Sequence, residues 1–472
     1  MDVRLPISTL LSAAVVLTAM TPAFAEPVTF KATDDAAPAY RVTTVVKATG
    51  KPVLSAGKGK VAPHVMTARA EFAFMERRLP AGGRDALSLR AVRDFQTAKM
   101  ESTVSPEGDA ATSVPKAETS VSLPKHLQLI VAEGRTTGID CYCPSFPMPR
   151  EVVDLLELPG DTLALTALLS PKAVELDESW APPEWAAQML SAIEAIETST
   201  LSCKLSSTTE KTATITVSGV VKGQRDGANT EVTINGTISY DRNAESIADA
   251  KLTYGVKSTI GVVSPGLDAT MEVETHRQPS ESPGRLDNKV LAAIPITPKA
   301  GAYDLVFDAA PWGLRLRHAR DWFFYQASLE AEPRVAIFRL MKQGSIIAQC
   351  NMSPIAPAAP GQHVPLDQFE KDIKASLGPR LTAIRAKEQL NVDAGVKIFR
   401  VIADGVHKIQ GPKGEADFPT TWIYYLCAAP SGRQASFVFA VESKQVQELG
   451  SQDEELVRSL QFLEQRQAAK AP

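Results

Sequence analysis

Strict two-residue alternation across residues 212–277 constrains this chain more than any other feature. From 212 to 221, Ala213, Ile215, Val217 and Gly219 fall on one side, with Thr214, Thr216 and Ser218 on the other. Residues 231–240 repeat the pattern, setting Val232, Ile234, Gly236 and Ile238 against Thr233, Asn235, Thr237 and Ser239. Leu252 and Tyr254 carry a third run, and Met271 and Val273 a fourth. Successive strand residues point to opposite faces, so Thr-, Val- and Ile-rich runs of this period predict antiparallel strands with one face on a core. Polar loops at 222–229 and 241–246 join them as a meander.

Upstream, Arg4, an apolar run over 7–20 and Ala23-Phe24-Ala25 before Glu26 read as a signal peptide over residues 1–25. The run is too short to span a bilayer, no Cys follows the cleavage site, and no later segment reaches spanning length. The expected mature protein is soluble and exported, periplasmic or extracellular, where disulfides persist. Of five cysteines, Cys350 with Cys427, and Cys203 with Cys141 or Cys143, are the candidate bridges; buried free thiols are the alternative. A formal net charge of −4 over 472 residues offers no electrostatic case for nucleic acid or an anionic membrane.

Residues 26–278 form the expected β-rich domain, with strands at 40–47, 66–79 and 85–100 and a turn at 80–84. A low-complexity stretch at 101–124 reads as a mobile excursion. Helices are expected at 149–156 and, opened by Pro182-Pro183, along Trp185, Met189, Ile193 and Ile196; residues 162–169 fit strand or helix. Pro279, Pro283, Pro295 and Pro298 mark 279–301 as a linker. Beyond it, 302–465 offers hairpins at 334–353 and 420–441, a helix at 365–377 and a closing helix from 451, followed by a tail at 466–472. The expected class is α+β: an antiparallel, half-barrel-like meander with docking helices, then an α/β/α sandwich.

The order of elements in 302–465 resembles the Mog1/PsbP-like fold. The resemblance is carried by Trp312 and Trp322 in an early strand pair, the two hairpins, the intervening helix and the closing helix Asp453-Glu-Glu-Leu-Val-Arg-Ser-Leu-Gln-Phe462. It implies a mostly non-enzymatic, protein-binding module. The preceding region, through the Leu169–Trp180 element and the meander, is similar to β-rich secreted domains of planctomycete-type bacteria.

Catalytic motifs are missing. His64, His126, His276, His318, His363 and His407 are dispersed, with no His-Glu-x-x-His, Gly-x-Ser-x-Gly or phosphate-binding loop. Ser-x-x-Lys at 55–58, 113–116 and 122–125 lacks its partner motifs. Asp304, Asp308 and Asp321 are the acids that a shared cleft would pair, and His407, Lys408 and Lys413 make a small basic spot. No catalytic, cofactor-binding or metal-ligating residue is assigned. The expected function is an exported, non-catalytic protein that binds a protein partner at the cell envelope or outside the cell. The alternative is a periplasmic carrier of an apolar, lipid-like ligand, held between the meander and the helix over 183–196, where Gly219 and Gly236 leave room. An enzyme of unassigned type is the third reading.

Overall fold

The structure, a computed structural model, describes residues 26–31, 38–55, 61–79, 85–107, 116–295, 297–342, 344–390, 395–411 and 414–463. The expected signal peptide, the expected 80–84 turn and the expected 466–472 tail lie outside these residues. The first region contributes strands β1 (Ala39–Ser55), β2 (Val61–Arg78), β3 (Arg90–Pro106), β4 (Ala117–Ser122), β5 (Leu129–Arg135), β6 (Gly138–Tyr142) and β7 (Met148–Pro149). Helices α1 (Arg150–Leu156) and α2 (Thr162–Ala167), strand β8 (Ser179–Trp180) and helix α3 (Glu184–Ser191) follow. Then come β9 (Ala195–Ser199), β10 (Ser202–Thr208), β11 (Thr212–Arg225), β12 (Ala228–Asp241), β13 (Ser246–Ser258), β14 (Gly266–Ser280) and helix α4 (Asn288–Ala293). The second region runs β15 (Leu305–Ala309), β16 (Leu314–His318), β17 (Trp322–Ser328), β18 (Val335–Lys342), β19 (Ser345–Ile355) and α5 (Leu366–Leu377). It closes with β20 (Leu381–Leu390), β21 (Lys397–Gly411), β22 (Gly414–Ala428), β23 (Gln434–Glu442), α6 (Val446–Leu449), α7 (Gln452–Arg458) and β24 (Gln461–Phe462). Large antiparallel sheets with short helices place the chain in the α+β class.

All strands of the first region except β7 join one 13-stranded sheet. Its path is β6-β5-β3-β2-β1-β14-β13-β12-β11-β10-β8, with β4 added to β3 and β9 to β11. The ends do not pair with each other, so the sheet stays open. Helix α3 touches β5 and β6 near one end and β9 near the other, which bridges the gap. Register carries the alternation across the sheet: Met100, Ala70, Val46, Val273, Leu252 and Gly236 sit in one inward row. Over that face α1, α2, α3 and Val28–Phe30 deliver Val153, Leu156, Leu163, Leu190 and Phe30 to a single core.

The strands are longer than the alternation predicts. The 222–229 loop reduces to Asp226-Gly227, because β11 and β12 pair down to Arg225 opposite Ala228. Residues 101–106 and 117–122 do not form a free excursion; they pair as a β3–β4 hairpin, from Lys99 opposite Ser122 to Val104 opposite Ala117. Backbone hydrogen bonds hold this low-complexity stretch, with Val121 and Leu123 packed against the core. Residues 162–169 are helical, capped by Asp161, whose carboxylate accepts from the Leu163 N–H. Helix α3 ends at Ser191 because Ala192 turns left-handed (φ 55°), which sends Ile196 into β9.

Residues 279–301 are no linker. Strand β14 runs through Pro279, and Leu286 is 0% exposed. Leu286 and Leu291 cover Met75, Val92, Val131 and Tyr142 on the outer face of the sheet. Few apolar positions are needed to seat such a segment, so its proline content resembles that of a spacer. Asp287 caps α4 by accepting from the Lys289 and Val290 N–H groups. Asp287→Ala is expected to cost about 1 kcal/mol of global stability in denaturant unfolding; no change would mean that the segment is not part of the cooperative unit.

The second region contains a seven-stranded sheet ordered β17-β18-β19-β23-β22-β21-β20. Helix α5 packs Phe369, Ile373 and Leu377 on one face, against Val401, Trp422 and Leu426. Helix α7 and the small sheet β24-β16-β15-β7 cover the other face through Leu456, Val457, Trp312 and Leu316. Strand β7 pairs in parallel with β15, and Leu305 joins the first core, so the two regions share structure. The proposed disulfides do not form: all five cysteines are buried and free. Cys350 and Cys427 lie on β19 and β22 with β23 between them. Strands two apart are about 9.5 Å from each other, beyond bridging distance. Cys203 on β10, Cys141 on β6 and Cys143 just after it all line the first core, and each is a free thiol.

Candidate functional site

The densest ionisable cluster sits under the first sheet, where Glu76 on β2, Arg93 on β3 and Arg277 on β14 point inward. Asp161 and Thr162 descend onto them from the start of α2. Arg93, 0% exposed, donates to both Asp161 oxygens at 2.6 Å and through Nε to Glu76 at 3.1 Å. Arg277 Nε reaches the other Glu76 oxygen at 3.2 Å, and its guanidinium lies 3.4 Å from the centre of the Tyr40 ring. Arg78 donates to the Thr162 carbonyl and the Thr166 hydroxyl. Burial alone would raise the Glu76 pKa, but Arg78, Arg93 and Arg277 outweigh it and hold the carboxyl at about 2. Such a group neither donates nor accepts a proton near neutrality, and its bonds to Arg93 and Thr162 clamp α2 to the sheet.

The cysteines, histidines and acids singled out from the sequence stand outside this cluster. Burial pushes the Cys141 and Cys203 thiols up to about 12, which leaves no thiolate nucleophile there. Burial lowers His318 to about 4, with its Nδ1 facing the Ala319 carbonyl at 2.9 Å. Asp308 is clasped by Arg315, Asp304 lies 3.5 Å from Arg317, and Asp321 is raised by burial, so each expected acid has its own surroundings. His276 pairs with Asp249, His363 faces the Val364 carbonyl, and His126 packs on Phe146. No group of three His, Cys, Asp or Glu suited to a metal ion occurs among the described residues. Ser122 ends β4 and Lys125 opens a short 3-10 helix, so the two do not share the helix that this chemistry needs; the other two Ser-x-x-Lys stretches and Lys413 fall partly or wholly outside the described residues.

The room expected at Gly219 and Gly236 is absent. A Cβ on Gly219 would lie 2.6 Å from the Leu201 backbone, and one on Gly236 2.0 Å from the Lys251 carbonyl. Both glycines permit close backbone approach rather than opening a cavity. Between the meander and helix α3, Ala186, Ala187, Met189, Leu190 and Ile193 are buried in the first core.

What remains open is an edge. Strand β17 pairs on one side only, with β18, and reads Trp322-Phe-Phe-Tyr-Gln-Ala-Ser328, without a charged residue. Trp322 is buried against Phe439, whereas Phe324 and Tyr325 are 37% and 43% exposed. Phe324 stacks on Phe307 at 5.0 Å, Arg339 lies 3.5 Å from the Tyr325 ring centre, and Arg150 lies 4.7 Å from that of Phe323. A register shift between Phe324 and Gln326 makes Tyr325 a bulge that turns the ring outward. The opposite edge, β20, carries Arg385, Lys387 and Glu388 and two register shifts, the usual guards against strand addition. Four consecutive aromatics at 322–325 were the available sequence signal, since alternating faces cannot bury them all.

No family model matches the chain, and no curated protein matches it. The resemblance to planctomycete-type domains therefore finds no support. Among solved structures, 34% of the chain is similar to 92% of cyanobacterial PsbP (CyanoP) from Synechocystis, at 13% identity and a TM-score of 0.26. Fifty-two per cent of the chain is similar to 26% of lipovitellin, at 9% identity and a TM-score of 0.30.

Proposed function

We propose that this is an exported, non-catalytic binding protein that engages a protein partner at the cell envelope or outside the cell. In this reading the second region is a Mog1/PsbP-like module that presents β17 as its contact strand. One observation carries the proposal: the edge that lacks charges is also the edge that exposes aromatic rings, while its counterpart is guarded. Unpaired backbone groups on an edge strand offer main-chain hydrogen bonds to an added strand, and exposed aromatic rings supply anchors.

The test replaces Tyr325, or Arg385 on β20 as a control, with a photo-crosslinking phenylalanine analogue in the mature chain. Exposure to envelope extracts is expected to yield one discrete adduct from position 325 and none from 385. Phe324→Asp, checked for an unchanged melting temperature, is expected to weaken binding of that partner at least ten-fold, about 1.4 kcal/mol. Equal adducts from both positions, or binding indifferent to Phe324, would remove the proposal.

A further inference from the structure

We propose that the inner face of the first sheet, beyond its helical cover, is a binding site for one long alkyl chain. The claim is independent of the β17 edge. Register places two further inward rows past the row that runs from Met100 to Leu252. One contains Ala68, Ala48 and Met271; the next contains Val104, Met66 and Val256. These side chains are half-buried, whereas the preceding row is covered where the α1–α2 turn sets Gly160 against Val273. Met66 and Met271 thus lie half-buried at the margin of the covered face, with Met271 packed against the edge of its core. Methionine is a flexible side chain suited to surfaces that adapt to an apolar occupant.

The chemistry of the two faces selects the occupant. No Lys, Arg, Asp or Glu projects from these inward rows, while the outward side of the same strands carries Lys51, Arg69, Glu71 and Lys99 in surface ion pairs. Backbone donors and acceptors here are spent on ladders to both neighbours, so a peptide laid on the face finds little to bond. A hydrocarbon chain needs no bonds. From β4 to β13 the face crosses five inter-strand gaps, about 24 Å at the usual spacing, and that length suits an extended chain lying across the strands.

The mature full-length protein is titrated with cis-parinaric acid and followed by fluorescence, then challenged with palmitate. Saturable binding of one probe per chain, displaced by palmitate, is expected. Met66→Glu with Met271→Glu should weaken it at least ten-fold, while Thr49→Glu on the outward face leaves it unchanged; melting curves report folding for each variant. A second readout needs no mutation. Palmitate should slow peroxide oxidation of Met66 and Met271 at least three-fold, measured by mass spectrometry, and leave Met341 on β18 unaffected. Absence of saturable binding, binding without protection of these methionines, or full binding by a folded double variant would each overturn the proposal.

Discussion

Arg93→Leu is expected to destabilise the protein by about 3–5 kcal/mol in denaturant unfolding, because it strands two buried carboxylates. Asp161 loses both of its 2.6 Å bonds, and Glu76 loses one of the guanidiniums that hold it ionised. Combining Arg93→Leu with Asp161→Asn should recover part of the loss, since removing the second charge removes its desolvation cost. Acidification provides an internal check. The folded Glu76 pKa is depressed to about 2 from 4.5, so its contribution is present above about 4.5 and is lost as pH falls towards 2. In Arg93→Leu that contribution is smaller, and the deficit of the variant should narrow below pH 4.5. A loss under 1 kcal/mol at neutral pH would mean that the clamp on α2 is idle.

The parts of this fold legible in the sequence are those written as local period. Alternation from Ala213 to Val273 located four central strands, and the spacing of Phe369, Ile373 and Leu377 located α5. The hairpin at 334–353 was visible from two apolar runs around a turn. The buried ion cluster was not, because Glu76, Arg93, Asp161 and Arg277 are scattered over 201 positions and meet only when the sheet and α2 assemble. Strand β20 is silent in the sequence for a different reason: as an edge it carries charges at Arg385, Lys387 and Glu388, which erase the apolar signal. Residues 279–301 read as a spacer by composition because two buried leucines are enough to fix the segment. The β17 edge was readable as a run of aromatics, but which ring stays exposed depends on the bulge at Tyr325.

Between pH 6.5 and 4 the stability of the protein should fall by up to about 3 kcal/mol on account of His318 alone. The ring lies at the end of β16, edge-on to Phe338 at 5.5 Å, and burial, with the nearby Arg150 charge adding to it, lowers its pKa from 6.5 to about 4. The Ala319 carbonyl can only accept, so Nδ1 carries the proton of a neutral ring in the fold. The unfolded chain takes up a second proton below pH 6.5, while the folded chain resists until about 4; acid therefore favours unfolding across that window. Glu76 acts in the same direction but only below about 4.5, so the two contributions separate along the pH axis. His318→Phe keeps an aromatic ring in the site and removes the titration. The difference between wild type and variant, which cancels groups common to both, should slope from pH 6.5 to 4 and be flat above 7. An identical pH profile for the two proteins would show that the histidine is solvated in the fold, and that the seam between β16 and the seven-stranded sheet is wet.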